Sequence, residues 1–148
     1  MQQQALAAIV AWVRLERAME AYTSALARQH GVTPLQLAVL GLLAERPQLP
    51  LAALRKSLVR HPATLGQAID ALRVKGLCEV RRDAADRRAR VVAITPAGLA
   101  LVRAAPLAGP DRLRQEPHEV PRLDRLSAAL ADAVELYGLG PWTPGRTP

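Results

Sequence analysis

Phenylalanine is absent from this chain of 148 residues, and Trp and Tyr supply two residues each. An interior must therefore be assembled from Leu, Ala and Val. A single cysteine, Cys78, excludes an intrachain disulfide and fits a reducing compartment. Its place at the start of a candidate strand reads as a small buried hydrophobe rather than a redox sensor. No run approaches the ~20 uninterrupted apolar residues of a membrane span. The apolar stretch from Ala5 to Val13 is preceded only by Met1-Gln-Gln-Gln, without a base, and continues into Arg14, Glu16 and Arg17, so it reads as helix and not as a signal peptide. The expectation is a soluble cytoplasmic protein with no membrane partner.

Catalytic patterns are missing too. His30, His61 and His118 are scattered, without Cys or carboxylates at metal-ligand spacing, so no metal site is expected. There is no G-x-S-x-G, no P-loop and no G-x-G-x-x-G. Ser24, Ser57 and Ser127 lack a His/Asp constellation, and Glu16 and Glu20, one helical turn apart, read as a solvated edge. Neither an enzyme nor a cofactor is expected.

What is present is positive charge, and it is segregated. Residues 55–103 hold eleven Lys/Arg against four acids, an excess equal to the whole net charge of +7, while the rest of the chain carries nine bases and nine acids. A uniformly basic composition would not produce that separation. It is the electrostatic footprint a phosphate-binding half requires.

Leu77 to Gly98 lies inside this half and reads as two strands joined by a hairpin. Cys78, Val80, Val91, Val92 and Ile94 favour β-structure, and the polar turn between them starts Asp83-Ala-Ala-Asp-Arg-Arg. Thr95-Pro96 ends the second strand and can open a helix. A hairpin this short needs support from other elements. Two helical patterns precede it, Leu51 to Val59 and Pro62 to Lys75. Helix, turn, helix and basic hairpin is the layout of a winged helix.

Elsewhere, residues 4–30 form a long helical pattern. Its apolar positions Leu6, Ile9, Val13, Met19, Tyr22 and Leu26, widened by Val10, Trp12 and Leu15, exceed what one small core needs. Gly31 ends it and Thr33-Pro34 starts the next helix. Leu35 to Ala44 is apolar almost all round and reads as the buried central helix. Gln48-Leu49, between Pro47 and Pro50, is a candidate third strand. In the following helix Leu51, Leu54 and Leu58 face inward, with Arg55 and Lys56 outward. In Pro62 to Lys75, Leu65, Ala68, Ile69 and Leu72 face inward, and Ala63, Thr64, Gln67, Ala71 and Val74 are candidates to face a groove. His61-Pro62 is a poor side-chain cap that leaves N–H groups for a DNA phosphate.

After Ala105 the chain is interrupted by Pro106, Pro110, Pro117 and Pro121. A helical stripe returns over 122–137, with Leu123, Leu126, Leu130, Val134 and Tyr137, closed by Gly138. Pro141 to Pro148 reads as a loose tail anchored by Trp142.

Asp83-Ala-Ala-Asp86-Arg87-Arg88, the apolar strand after it and Ile94-Thr95-Pro-Ala-Gly98 resemble the wing signature of the MarR-type (multiple antibiotic resistance regulator) bacterial transcription factors, D-x-x-D-R-R, then L-T-x-x-G. Ala63 to Leu77 resembles their recognition helix and the glycine turn after it. Ile94 stands where the family usually has Leu and Ala84 where it often has Pro; Gly66 and Gln67 replace an expected Ser and Arg. The resemblance implies a mainly α fold with a small β wing, a winged helix-turn-helix flanked by N- and C-terminal dimerisation helices. The expected organisation is 1–33 dimerisation helix, 34–103 DNA-binding region, 104–140 Pro-broken connection and second dimerisation helix, and 141–148 tail, one compact domain in all.

It also implies a homodimeric repressor, nucleoid-associated in a bacterial cytoplasm, on a pseudo-palindromic operator in double-stranded DNA. The residues so assigned to DNA are Arg55, Lys56, His61, Ala63, Thr64, Gln67, Arg81, Arg82, Arg87, Arg88 and Arg90. Asp86 would hold an arginine by a charge-assisted bond while a neighbour, either Arg87 or Arg88, enters the minor groove. Gln67 can pair with adenine and Thr64 can meet a thymine methyl, while the usual guanine-reading Arg is missing. A small aromatic effector would lie near Trp12, Glu16 and Tyr22. The alternative is a winged-helix module for protein–protein contact or non-specific DNA architecture, favoured by the bland face of Ala63, Gly66 and Ala71.

Overall fold

The computed structural model describes residues 1–59, 62–115 and 117–144. Helix α1 spans Gln2–His30 and ends at Gly31, whose φ of 67° lies in the left-handed region open to glycine. Helix α2, Pro34–Glu45, begins with a complete capping box. Thr33 Oγ1 accepts from the Gln36 amide at 3.2 Å, and Gln36 Oε1 accepts from the Thr33 amide at 3.1 Å. That exchange explains why Gln36, a polar residue, is buried at the start of an otherwise apolar helix.

Strand β1, Gln48–Pro50, leads directly into helix α3, Leu51–Leu58, and helix α4 covers Pro62–Val74. Strands β2, Cys78–Arg82, and β3, Arg90–Ile94, form the hairpin, and helix α5 runs Pro96–Ala104. The sheet is antiparallel in the order β1-β3-β2, with Leu49 opposite Val92 and Val80 opposite Val92 on the other side. The expected third strand is therefore present, and it pairs with the second strand of the hairpin. Fully buried Leu37, Leu40, Leu43, Leu54, Leu58, Leu65 and Leu72 form the centre of the core with Val39 and Val92. Each such side chain contributes roughly 1.5–3 kcal/mol by leaving water.

By internal packing the chain divides into two compact units, Met1–Arg112 and Leu113–Pro148, where the sequence suggested one compact domain. The boundary falls in the Pro-rich connection, which carries a short 3₁₀ helix at Pro110–Arg114. Helix α6 spans Val120–Leu136. One expectation is corrected here. Pro121 does not interrupt the chain: it sits in the first turn of α6, where its missing N–H leaves no bond unmade. Trp142, the residue expected to anchor the tail, is 77% exposed in a 3₁₀ turn at Gly140–Trp142. The last residues of the expected tail, 145–148, lie outside the described residues. None of the described helices is long and apolar enough to cross a membrane.

Candidate nucleic-acid interface

The surface of interest is built from α3, α4 and the hairpin. Helix α4 separates its two faces as its 3.6-residue period requires. Leu65, Ala68, Ile69 and Leu72 are buried, while Ala63, Thr64, Gln67 and Val74 are exposed. Arg55 and Lys56 are exposed at the end of α3. His61, the residue expected to leave N–H groups for a phosphate, lies outside the described residues. Between α3 and α4, Val59 adopts φ 42° and ψ 54°, a left-handed conformation unfavourable for a β-branched residue.

The hairpin is fixed at both ends. At its base Thr95 caps α5, its Oγ1 accepting from the Gly98 amide at 3.1 Å while donating to the Gly76 carbonyl at 2.6 Å. The Thr95 amide in turn donates to the carbonyl of Leu77 at 3.2 Å. One threonine thus ties the turn after α4 to the start of α5. At its tip Asp83 Oδ1 accepts from the Ala85 amide at 2.9 Å and Asp86 Oδ1 from the Arg88 amide at 3.0 Å. The Ala89 amide closes the turn on the Asp86 carbonyl at 3.0 Å.

These bonds specify the role expected of Asp86, a charge-assisted hold on an arginine. Its carboxylate holds the backbone of Arg88 and no guanidinium among the described residues. An Asx-type bond to an amide two residues on is geometrically closer than any long side chain, and shapes the turn. Both tip acids shape the backbone, neither is ion-paired with an arginine among the described residues, and the Arg87 and Arg88 side chains are exposed.

Lower in the hairpin the arginines differ. Arg81 Nη2 lies 3.3 Å from Glu79 Oε2 on the same strand face, so its charge is partly compensated. Arg82 stands opposite Arg90 across the β2–β3 pairing. Like charges at opposed positions destabilise a sheet unless an anion lies between them or beside them. Lys75 is spent structurally, its ammonium donating to the carbonyl of Gly31 at the end of α1.

Sequence reasoning passed over Arg73 and took Asp70 only as flanking the groove face; their side chains are 4.0 Å apart on α4 and border a cleft with Arg90 of β3. Their i,i+3 spacing was the available signal, but only the fold shows that this flank meets the sheet. Cys78, buried as expected, donates its thiol to the Ile69 carbonyl at 3.7 Å, and burial pushes its pKa from 9.0 to about 11.

The three suggested effector residues do not share one site. A shallow depression along α1 is lined by Trp12, Leu15, Glu16, Met19, Glu20, Thr23 and Ser24, without Tyr22. The Tyr22 hydroxyl instead donates to the Pro106 carbonyl and accepts from the Ala108 amide, both at 3.1 Å. It therefore fastens the segment after α5 to α1. No group of His, Cys, Asp and Glu among the described residues could hold a metal ion.

A profile of the MarR family matches residues 32–89, from the end of α1 to the wing tip. No curated protein sequence matches the chain. Among solved structures it is similar to a probable transcriptional regulator from Pseudomonas aeruginosa, with 28% identity over 81% of this chain and 93% of that one, TM-score 0.57. A second is BpsR of Bordetella bronchiseptica, whose DNA binding is regulated by 6-hydroxynicotinic acid, at 25% identity over 82% and 96% of the two chains, TM-score 0.54. MepR of S. aureus, solved as a DNA complex, shares the fold at 21% identity, covering 87% of this chain and 96% of its own, TM-score 0.62.

Proposed function

Residues 32–89 match the MarR family, and from that premise we propose that the chain is a DNA-binding transcriptional regulator acting as a homodimeric repressor on a pseudo-palindromic operator. Each subunit presents α4 to a major groove and the hairpin to the adjoining minor groove. The observation that carries this reading is the wing tip. Its two aspartates accept from backbone amides and hold the turn, and Arg87 and Arg88 stand exposed on it, open to an external anion. A protein-binding module has no use for such a tip.

Pairing of two subunits is supported by apolar surface. Helix α1 exposes Leu6, Ile9, Val10, Trp12 and Leu15, and α6, with no buried residue, exposes Leu126, Leu130 and Leu136. Helices gain most of their stability from a covered apolar face, and a second copy supplies one. A two-fold dimer then matches a two-fold DNA site. A small aromatic effector would enter the α1 depression beside Trp12 and Glu16.

Binding to the protein's own upstream intergenic DNA, compared with random duplex at two salt concentrations, tests the proposal. Preference for the upstream DNA is expected, with affinity falling steeply as salt rises. Alanine at Thr64 and Gln67 should remove the preference, by roughly 1–3 kcal/mol per base-reading contact, and alanine at Arg87 and Arg88 should weaken all binding. Equal affinity for both DNAs would refute the operator, and indifference to all four substitutions would favour the protein-binding module.

A further inference from the structure

Between recognition helix and hairpin lies a cleft whose lining is unusual for a helix flank. Gly66, Ile69, Asp70 and Arg73 of α4 form one wall, Val80 of β2 and Arg90 of β3 the other, and Leu51 contributes from the start of α3. Ile69 is buried and Val80 half-buried, so part of the lining is apolar. At Gly66 a β-carbon would meet nothing within 4 Å, so the helix side of the cleft is open. Two guanidinium groups from different elements therefore border one opening.

Neither guanidinium is well satisfied. Arg73 Nε is 4.0 Å from Asp70 Oδ1, with the two side chains 56% and 73% exposed, a pair of the kind that contributes little in water. Arg90 faces Arg82 across the sheet, and no acid pairs with it among the described residues. The cleft is thus a place of unspent positive charge, with one carboxylate at its edge.

We propose that this cleft seats a backbone phosphate of bound DNA, held between Arg73 and Arg90, with Asp70 as the group that occupies Arg73 when DNA is absent. The proposal rests on the DNA-binding reading above and adds to it a residue, Arg73, outside both the base-reading face and the wing tip. If α4 enters one groove and the hairpin the next, the sugar-phosphate strand separating those grooves must cross the space between them. A phosphate there accepts charge-assisted bonds from both arginines, relieves the Arg82–Arg90 repulsion and draws Arg73 from its weak partner. Asp70 then becomes an unfavourable neighbour of the anion.

The sign of two substitutions separates this role from a helix-stabilising pair. Binding of each full-length variant to upstream and random duplexes is followed by fluorescence anisotropy across about 50 to 200 mM salt. For a phosphate seat, R73A weakens both duplexes to a similar extent and lowers the slope of log K against log salt by about one, R73K keeps most of the slope, and D70N strengthens binding. Urea midpoints confirm that each variant is folded. An unchanged slope in R73A, or weaker binding in D70N, overturns the seat while leaving the operator reading intact. Absence of salt-dependent binding by the wild-type chain to either duplex overturns both.

Discussion

A β-carbon on residue 98 would stand 2.2 Å from the carbonyl oxygen of Leu77, so the first turn of α5 lies against the strand-entry backbone at a distance only glycine allows. That contact belongs to the same knot as Thr95, which caps α5 and bonds the turn after α4. Substitution G98A should force backbone apart. We expect a loss of roughly 1–3 kcal/mol or more in denaturant unfolding, together with weaker DNA binding because wing and recognition helix separate.

Val59 offers the opposite sign. Its left-handed backbone carries a branched side chain that is 76% exposed, so little packing compensates the strain. Replacement by glycine should stabilise the protein by about 1–2 kcal/mol, read as a higher urea midpoint at unchanged slope. An unchanged or lower midpoint would show that Val59 gains more from its neighbours than its backbone loses.

The Tyr22 hydroxyl makes two bonds to a segment more than eighty residues away. Y22F keeps the ring and removes both, and should cost on the order of 1–2 kcal/mol. Amide exchange at Ala108 should accelerate while amides in α2 keep their protection. Uniform acceleration across the unit would point to global destabilisation instead.

Cys78 gives a pH dependence. Its thiol stays protonated in the folded chain up to about pH 11, whereas an unfolded thiol ionises near 9.0. Between those values the unfolded state binds fewer protons, so stability is fully present below pH 9 and declines as pH rises toward 11. C78A should remove this part of the alkaline slope. At neutral pH iodoacetamide should label native Cys78 far more slowly than the unfolded chain.

Much of this architecture could be read from local chemistry. Gly31, Thr33-Pro34 and Thr95-Pro96 place helix ends because their preferences are written in single residues. The inward stripe of α4 follows from spacing alone. What escaped was decided by distance in three dimensions or by competition between partners. Asp86 reads as a holder of arginine, but that it grips the Arg88 amide and not a guanidinium shows only in the folded turn. Pro121 resembles a break until its position within a helix is known. The Tyr22 anchor and the Arg73–Arg90 cleft join residues whose separation in sequence gives no hint of proximity.

Pro50 ends the outer strand of the sheet and immediately precedes α3, with no linker residue between them. Because that strand is bonded to β3, the inner strand of the hairpin, any tilt imposed on the wing is passed without slack to the first helix of the reading pair. The unit then behaves as a rigid caliper with fixed jaws. If two copies bind one DNA site as proposed, sites that differ in length are accommodated by the gap between two such calipers, not by opening either one.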